Sequence, residues 1–346
     1  TDRSSYFLSI SALNNTGVVP NTFYNKYSVR FHGTTKLTNK LYSSINFNYI
    51  NSYSRVEGGG QSLGSVYDNV LETARDIPIT ELKDLNNIFN AMTYTDAQGI
   101  QRYGYYGAYT RNPCWVAQNF NNRAKTDRIL GDFSIGYKSG NIDVVDRLGV
   151  DVSSDRAFYE QPKYNAIGFD PLYDGIPQSN AGGYEAATTN GLLLNNDLIA
   201  TYNKPLSDNF SMQLLGGHNM RLSNTTSLVG NIDPGTNGLI IPGYYNFDNA
   251  QGPVLTSNSF VQTRTIGLYG DATFKYRNSL FFGVTARNDW TSTLIEGNRS
   301  YFYPSVNASW VFTEGMHGKI KDNILNYGKL RASYASVGNG ASAYQN

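Results

Sequence analysis

The chain has 346 residues and a net charge of +1, with 16% charged and 14% aromatic residues, including 27 Tyr but only 3 Trp. Charge falls well below the roughly 25% of average soluble proteins, and its near-balance argues against a nucleic-acid-binding field. No run of about 18 apolar residues exists, which excludes a transmembrane helix but not a β-barrel, where only alternate residues face lipid.

Strand signals begin at once. Eleven candidates fall at 4–13, 24–37, 41–55, 122–138, 142–156, 190–203, 210–224, 258–276, 279–290, 300–313 and 327–337. In the third, Leu41, Ile45, Phe47 and Tyr49 alternate with Ser44, Asn46 and Asn48. In the fourth, Ile129, Phe133, Ile135 and Tyr137 oppose Asp132, Ser134 and Lys138. In the eighth, Ile266, Leu268, Ala272 and Phe274 oppose Thr265, Asp271, Thr273 and Lys275. The last three are the cleanest: Leu280, Phe282, Val284 and Ala286 stand against Gly283, Thr285 and Arg287; Phe302, Val306, Ala308, Trp310 and Phe312 against Ser305, Asn307 and Ser309; and Leu330, Ala332 and Tyr334 against Lys329, Arg331 and Ser333. Side chains alternate across a strand, so each strand has one apolar and one polar face.

The links between strands alternate in length. Short turns at 38–40, 139–141, 205–209 and 277–278 are separated by longer links at 14–23, 56–121, 157–189, 225–257 and 291–299. Tight turns at one end and long loops at the other mark an outer-membrane barrel. The longest link, 56–121, is read as an ordered extracellular insertion. Leu82, Leu85, Ile88, Phe89 and Met92 recur at helical spacing, and Val66, Val70 and Ala74 suggest a weaker second helix.

No catalytic constellation stands out, so an enzyme is not expected. His32, His218 and His317 lie on separate elements without metal-ligand spacing. Gly58 to Gly64 does not close a βαβ unit and reads as a flexible loop entry rather than a phosphate cradle. Cys114, the only cysteine, reads as a packed thiol. The stretch Asn231 to Gly238 has one carboxylate, Asp233, and reads as a turn rather than a calcium loop. No cofactor or metal is expected. Candidate substrate-binding residues are the aromatics of two long loops: Tyr103, Tyr105, Tyr106, Tyr109 and Trp115 in the first, Tyr244 and Tyr245 in the second. Tyr and Trp faces stack on sugars or peptide side chains, though the same residues also suit an interface belt or the packed base of a loop.

Several segments resemble the SusC/RagA-like TonB-dependent outer-membrane transporters of Bacteroidetes. They are, in order, Asn15-Thr16-Gly17 with Tyr27-Ser28-Val29-Arg30-Phe31; Ala74-Arg75-Asp76-Ile77-Pro78-Ile79; Arg111-Asn112-Pro113-Cys114-Trp115 followed by Asp127-Arg128; Ala286 to Leu294; Tyr303-Pro304-Ser305-Val306; and Leu330-Arg331-Ala332-Ser333-Tyr334. Cys114 replaces a usual aromatic and Ala335 a usual glycine. The resemblance implies an all-β fold forming about half of a large antiparallel transmembrane barrel, since such transporters have 22 strands and a plugged lumen and an open sheet edge cannot sit in lipid. Residues 1–346 then form a partial barrel domain, without plug or remaining strands. It also implies an outer-membrane nutrient importer of oligosaccharide or peptide, with a SusD-like surface lipoprotein, TonB and membrane lipid as partners and no nucleic acid. The alternative is a structural or docking barrel in a larger envelope complex.

Overall fold

The computed structural model describes residues 3–61, 64–102, 104–105, 110–164, 179–315, 325–338, 340 and 342–344. Eleven antiparallel strands form one sheet whose spatial order is the chain order. They are β1 (Ser4–Thr16), β2 (Phe23–Lys36), β3 (Leu41–Val56), β6 (Asn121–Ser139), β7 (Ile142–Tyr164), β8 (Asn180–Ser207), β9 (Phe210–Ile232), β10 (Leu255–Tyr276), β11 (Leu280–Thr291), β12 (Ser300–Val311) and β13 (Lys329–Ala335). A separate two-stranded ribbon, β4 (Tyr94–Thr95) and β5 (Gln101–Arg102), lies within the link from β3 to β6.

The register converts the alternating sequences into two continuous faces. On one face Ile10 lies opposite Val29, Val29 opposite Tyr49, Tyr49 opposite Ile129, Ile129 opposite Val152 and Val152 opposite Leu192. On the other, His32 lies opposite Asn46 and Asn46 opposite Asp132, joined by hydrogen bonds of 2.6 Å and 3.0 Å. The Arg128–Asp151 ion pair and the Asn219–Asp197 bond continue this polar face. The apolar face stays open: Ile10 is 75% and Leu8 63% exposed. An apolar surface this wide has hydrocarbon, not water, as its natural solvent.

Aromatics bound the apolar band. Tyr276, Phe210, Tyr202, Tyr137 and Trp310 mark the short-turn side, and Tyr49, Trp290 and Phe302 the long-loop side. On β10 the band runs from Tyr276 to Ile266, about 33 Å along the strand. At a tilt of about 45° that gives about 23 Å of height, the dimension of an outer-membrane barrel band. Polar residues interrupt it: Asn196 donates to Asp146 at 2.7 Å among leucines and valines of the same face, and His218 and Asn288 flank Leu268. Polar residues placed in the band are costly, and mutual hydrogen bonding offsets part of that cost.

The tight turns have the chemistry their geometry needs. Arg277 and Asn278 both adopt left-handed backbone (φ 48° and 56°), the pattern of a type I′ hairpin turn between β10 and β11. The expected 205–209 turn shortens to Asp208 and Asn209, with a register irregularity between Pro205 and Ser207. At the other end, β8 begins ten residues earlier than its alternation predicts, and β7 and β9 each run eight residues further. Above the lipid both faces meet water, so pairing continues while the alternation that marks a strand lapses.

The 57–120 link departs from its predicted helices. The weaker pattern forms α1 (Val66–Glu72), capped by Ser65, whose hydroxyl accepts from the Asp68 N–H at 3.2 Å. The stronger pattern yields only a 3-10 turn at Glu81–Lys83. Asp84 accepts from the Asn86 N–H, Asn87 from the Phe89 N–H, and Asn90 donates to the Glu81 and Asp84 carbonyls. These short side chains offer the backbone partners that a helix would otherwise supply, and they win over the periodicity. A second helix not read from periodicity, α2 (Pro113–Asn119), precedes β6.

Candidate functional site

The extended tops of β7 to β10, together with the 57–120 and 233–254 links, form a platform at the long-loop end of the sheet. It holds a compact core among the described residues: Leu82, Met92, Tyr105 and Tyr164 bury together, with Ile77, Cys114 and Trp115 packed against them. Burial pushes the Cys114 thiol pKa up, and Lys83 opposes the shift.

Asn112 organises the first half of the platform. Wholly buried, it caps α2 by accepting from the Cys114 N–H at 2.8 Å, and Pro113 fills the first helical position, where no N–H is needed. Its amide nitrogen donates to the Leu82 and Asn90 carbonyls, both at 2.9 Å. One side chain thus starts a helix and ties it to the turn segment 30 residues earlier. Arg111 next to it is 3% exposed. Its backbone N–H reaches Asn69 of α1 and its Nε donates to the Tyr164 hydroxyl, both at 2.5 Å. Its guanidinium lies 5.5 Å from the Phe120 and 5.7 Å from the Tyr164 ring centre. Burial raises the Tyr164 pKa and Arg111 pulls it back.

The 233–254 link is pinned by another buried asparagine. Asn249 donates to the carbonyls of Ile241 (2.8 Å) and Tyr244 (2.6 Å) and accepts from the Ile241 N–H (2.9 Å). Asp233 is a turn residue: its side chain accepts from Gly235, and its carbonyl from Thr236, Asn237 and Gly238. At the base, Glu160 pairs with Arg123 and accepts from Asn121 at 2.9 Å. The Tyr184 ring stands 5.0 Å from Phe247 and 6.3 Å from Tyr245. Burial, with a smaller contribution from the Glu160 carboxylate, pushes the Tyr245 hydroxyl up to about 12.

The structure distributes the seven sequence-predicted candidates unevenly. Tyr103, Tyr106 and Tyr109 lie outside the described residues. Tyr105 is 0% exposed and belongs to the core, so its ring presents no surface to a ligand. Trp115 is half-buried, edge-on to Tyr164 at 5.2 Å and to Phe120 at 6.0 Å. Tyr245 is half-buried on Tyr184, and Tyr244 is exposed beside exposed Ile240 and Ile241. These two isoleucines and the structural roles of Asn112 and Asn249 went unread. The Asn-Pro pair at 112–113 was the available signal for the α2 cap.

No protein-family model matches the chain. A TonB-dependent receptor of Formosa agariphila is 22% identical over 347 aligned residues, which cover 99% of this chain and 32% of the receptor. The RagAB peptide importer in its open-open state superposes with a TM-score of 0.65 at 15% identity, over 97% of this chain and 35% of that one. The chain is similar in sequence to a TonB-dependent receptor and shares the barrel-wall fold of the RagAB importer. The sheet also matches the ferric-catecholate import receptor Fiu of E. coli K12, with a TM-score of 0.52 at 12% identity over 97% of this chain and 50% of that one. The chain therefore spans about a third of the length of the curated TonB-dependent receptor it matches and has the fold of a partial outer-membrane β-barrel.

Proposed function

We propose that the chain supplies wall and external loops to an outer-membrane importer of the SusC-like TonB-dependent class, with an oligosaccharide or peptide as cargo. The observation that carries this reading is the sheet's division into an apolar outer band and a hydrogen-bonded polar inner face, topped by a loop platform with its own buried core, in a chain similar to a TonB-dependent receptor along nearly its whole length. In this reading the short turns face the periplasm and the platform faces outward. Residues 56–121 form an extracellular insertion on a barrel domain occupying 1–346. Cargo meets the platform at Tyr244, with Trp115 and Tyr245 buttressing it and Tyr103, Tyr106 and Tyr109 as further contacts. A SusD-like surface lipoprotein covers the platform, and TonB supplies the work of release through segments of the complete protein. Transport of this kind uses conformational work and requires no covalent chemistry from the wall.

Deletion of the gene in its native host tests the proposal. Loss of growth on one class of glycan or peptide, restored by the intact gene, is the expected result. Unchanged uptake across a panel of glycans and peptides overturns it. Replacement of Tyr244 by Ala in the restored gene then tests the contact, with a several-fold rise in the cargo concentration needed for half-maximal growth.

A further inference from the structure

The apolar face is not uniform at its short-turn end. Two adjacent rows of the register cross four strands there: Phe274, Phe282, Ala308 and Ala332, and one step nearer the turns Tyr276, Leu280, Trp310 and Leu330. The first row changes from two large rings to two methyl groups while the second stays large. The result is a groove of about 440 Å³, walled by Phe274, Phe282, Trp310 and Leu330 and floored by Ala308 and Ala332. Phe210 stacks on Phe274 (6.1 Å between ring centres, 12° between planes) and extends the wall onto β9.

A cation stands at the groove's lower rim. Arg277 occupies the first position of the β10–β11 hairpin turn, is exposed, and carries its guanidinium 5.3 Å from the ring centre of Tyr276, itself part of the groove lining. Arg277 takes part in none of the ion pairs found among the described residues. Three residues, about 10 Å along the strand, separate it from the Phe274 row. A largely apolar groove inside the hydrocarbon band, with a guanidinium at its polar edge that joins no ion pair among the described residues, matches an amphiphile having one anionic head and a long chain. Guanidinium groups favour phosphate through paired, charge-assisted hydrogen bonds, and basic sites at a membrane's edge are where anionic lipid heads are held.

We propose that this groove is a binding site for a single glycerophospholipid, its phosphate on Arg277 and one acyl chain laid across Ala308 and Ala332 against Trp310. The choice of glycerophospholipid over lipid A rests on the orientation in the proposed function, which sets the short turns in the periplasmic leaflet. The lipid fills a gap in the wall that fluid chains would pack poorly, and it fixes the β10–β13 region relative to the membrane plane.

Native mass spectrometry of the full-length protein, delipidated in detergent and titrated with dioleoylphosphatidylglycerol, tests the site. Four proteins are compared: the unaltered protein, Arg277→Ala, the double variant Ala308→Leu with Ala332→Leu, and Arg264→Ala at the opposite end of the sheet as control. One lipid is expected to remain at low collision energy on the unaltered protein and on the control, with about tenfold weaker retention in Arg277→Ala, the loss of one charged contact. The leucine variant keeps an apolar surface suited to folding and is expected to lose the lipid by filling the groove. Equal retention by all four proteins overturns the proposal. Arg277-dependent retention of lipid A with none of phosphatidylglycerol overturns the choice of lipid. Nutrient uptake is read separately: a gene deletion without phenotype removes the importer reading while leaving a measured lipid site in place.

Discussion

The lower part of the sheet and the platform above it are built from the same strands yet hold together by different means. In the lower part, side chains alternate between lipid and polar interior, and almost nothing is deeply buried. In the platform, alternation lapses and a few buried asparagines carry the structure: Asn69, Asn112 and Asn249 each bind backbone groups from separate turns. A wall can be specified by a repeating two-residue pattern because its solvent is different on each side. A loop platform has water all round and needs individual pins.

The largest expected effect breaks the wall. Val284→Arg puts a charge on the lipid face in the band and is expected to cost about 2–4 kcal/mol, measured by urea unfolding of the full-length protein refolded into phosphatidylcholine vesicles. Thr285→Arg, one residue on and facing the polar interior, is expected to change stability far less. Equal losses in the two variants would erase the distinction between the faces. Next comes the platform's own pin: Asn112→Ala leaves two carbonyls and two helix-start N–H groups without their partner and is expected to cost about 2–3 kcal/mol. Its signature is local, with faster proteolysis within 57–120 and an unchanged urea midpoint for the barrel. Asn249→Ala is expected to cost about 1–2 kcal/mol, read as faster hydrogen exchange confined to 233–254.

The smallest effect at neutral pH concerns Tyr245. Its hydroxyl binds its proton more tightly in the folded platform (about 12) than in the unfolded chain, where the usual value is near 10. The folded state therefore carries more protons between those values, and platform stability falls as pH rises from about 10 towards 12. Ultraviolet titration of tyrosinate should show a late-ionising phase whose amplitude Tyr245→Phe lowers by one tyrosine; an unchanged amplitude would place that shift elsewhere.

All eleven strands of the sheet were legible because lipid on one side and polar groups on the other force a period of two onto residues such as Leu280 to Ala286. Their upper ends were not: residues 180–189 are paired strand, but Gly182, Gly183 and Ala186 carry no alternation. The periodicity at Leu82 to Met92 suggested a helix, whereas Asp84, Asn87 and Asn90 bind the local backbone instead. The site was least legible. An aromatic in a loop looks the same in sequence whether it is buried like Tyr105 or exposed like Tyr244. The difference lies in contacts that the local sequence does not announce, such as those of Asn112 with Leu82 and Asn90, 30 and 22 residues away.

The sheet's chain-order topology has a consequence for how its loops can vary. Every strand of the sheet pairs with the strand beside it in sequence, so each link is a simple closure between neighbours. The entropy lost on closing a flexible link grows only logarithmically, about 0.6 kcal/mol for each doubling of length. Growing the β3–β6 link from about 16 residues to the 64 that lie between Val56 and Asn121 would thus add about 1.2 kcal/mol, before its own core contributes anything. Insertions at the long-loop end leave the pairing register below untouched. That end is free to vary in length and sequence while the wall keeps one architecture.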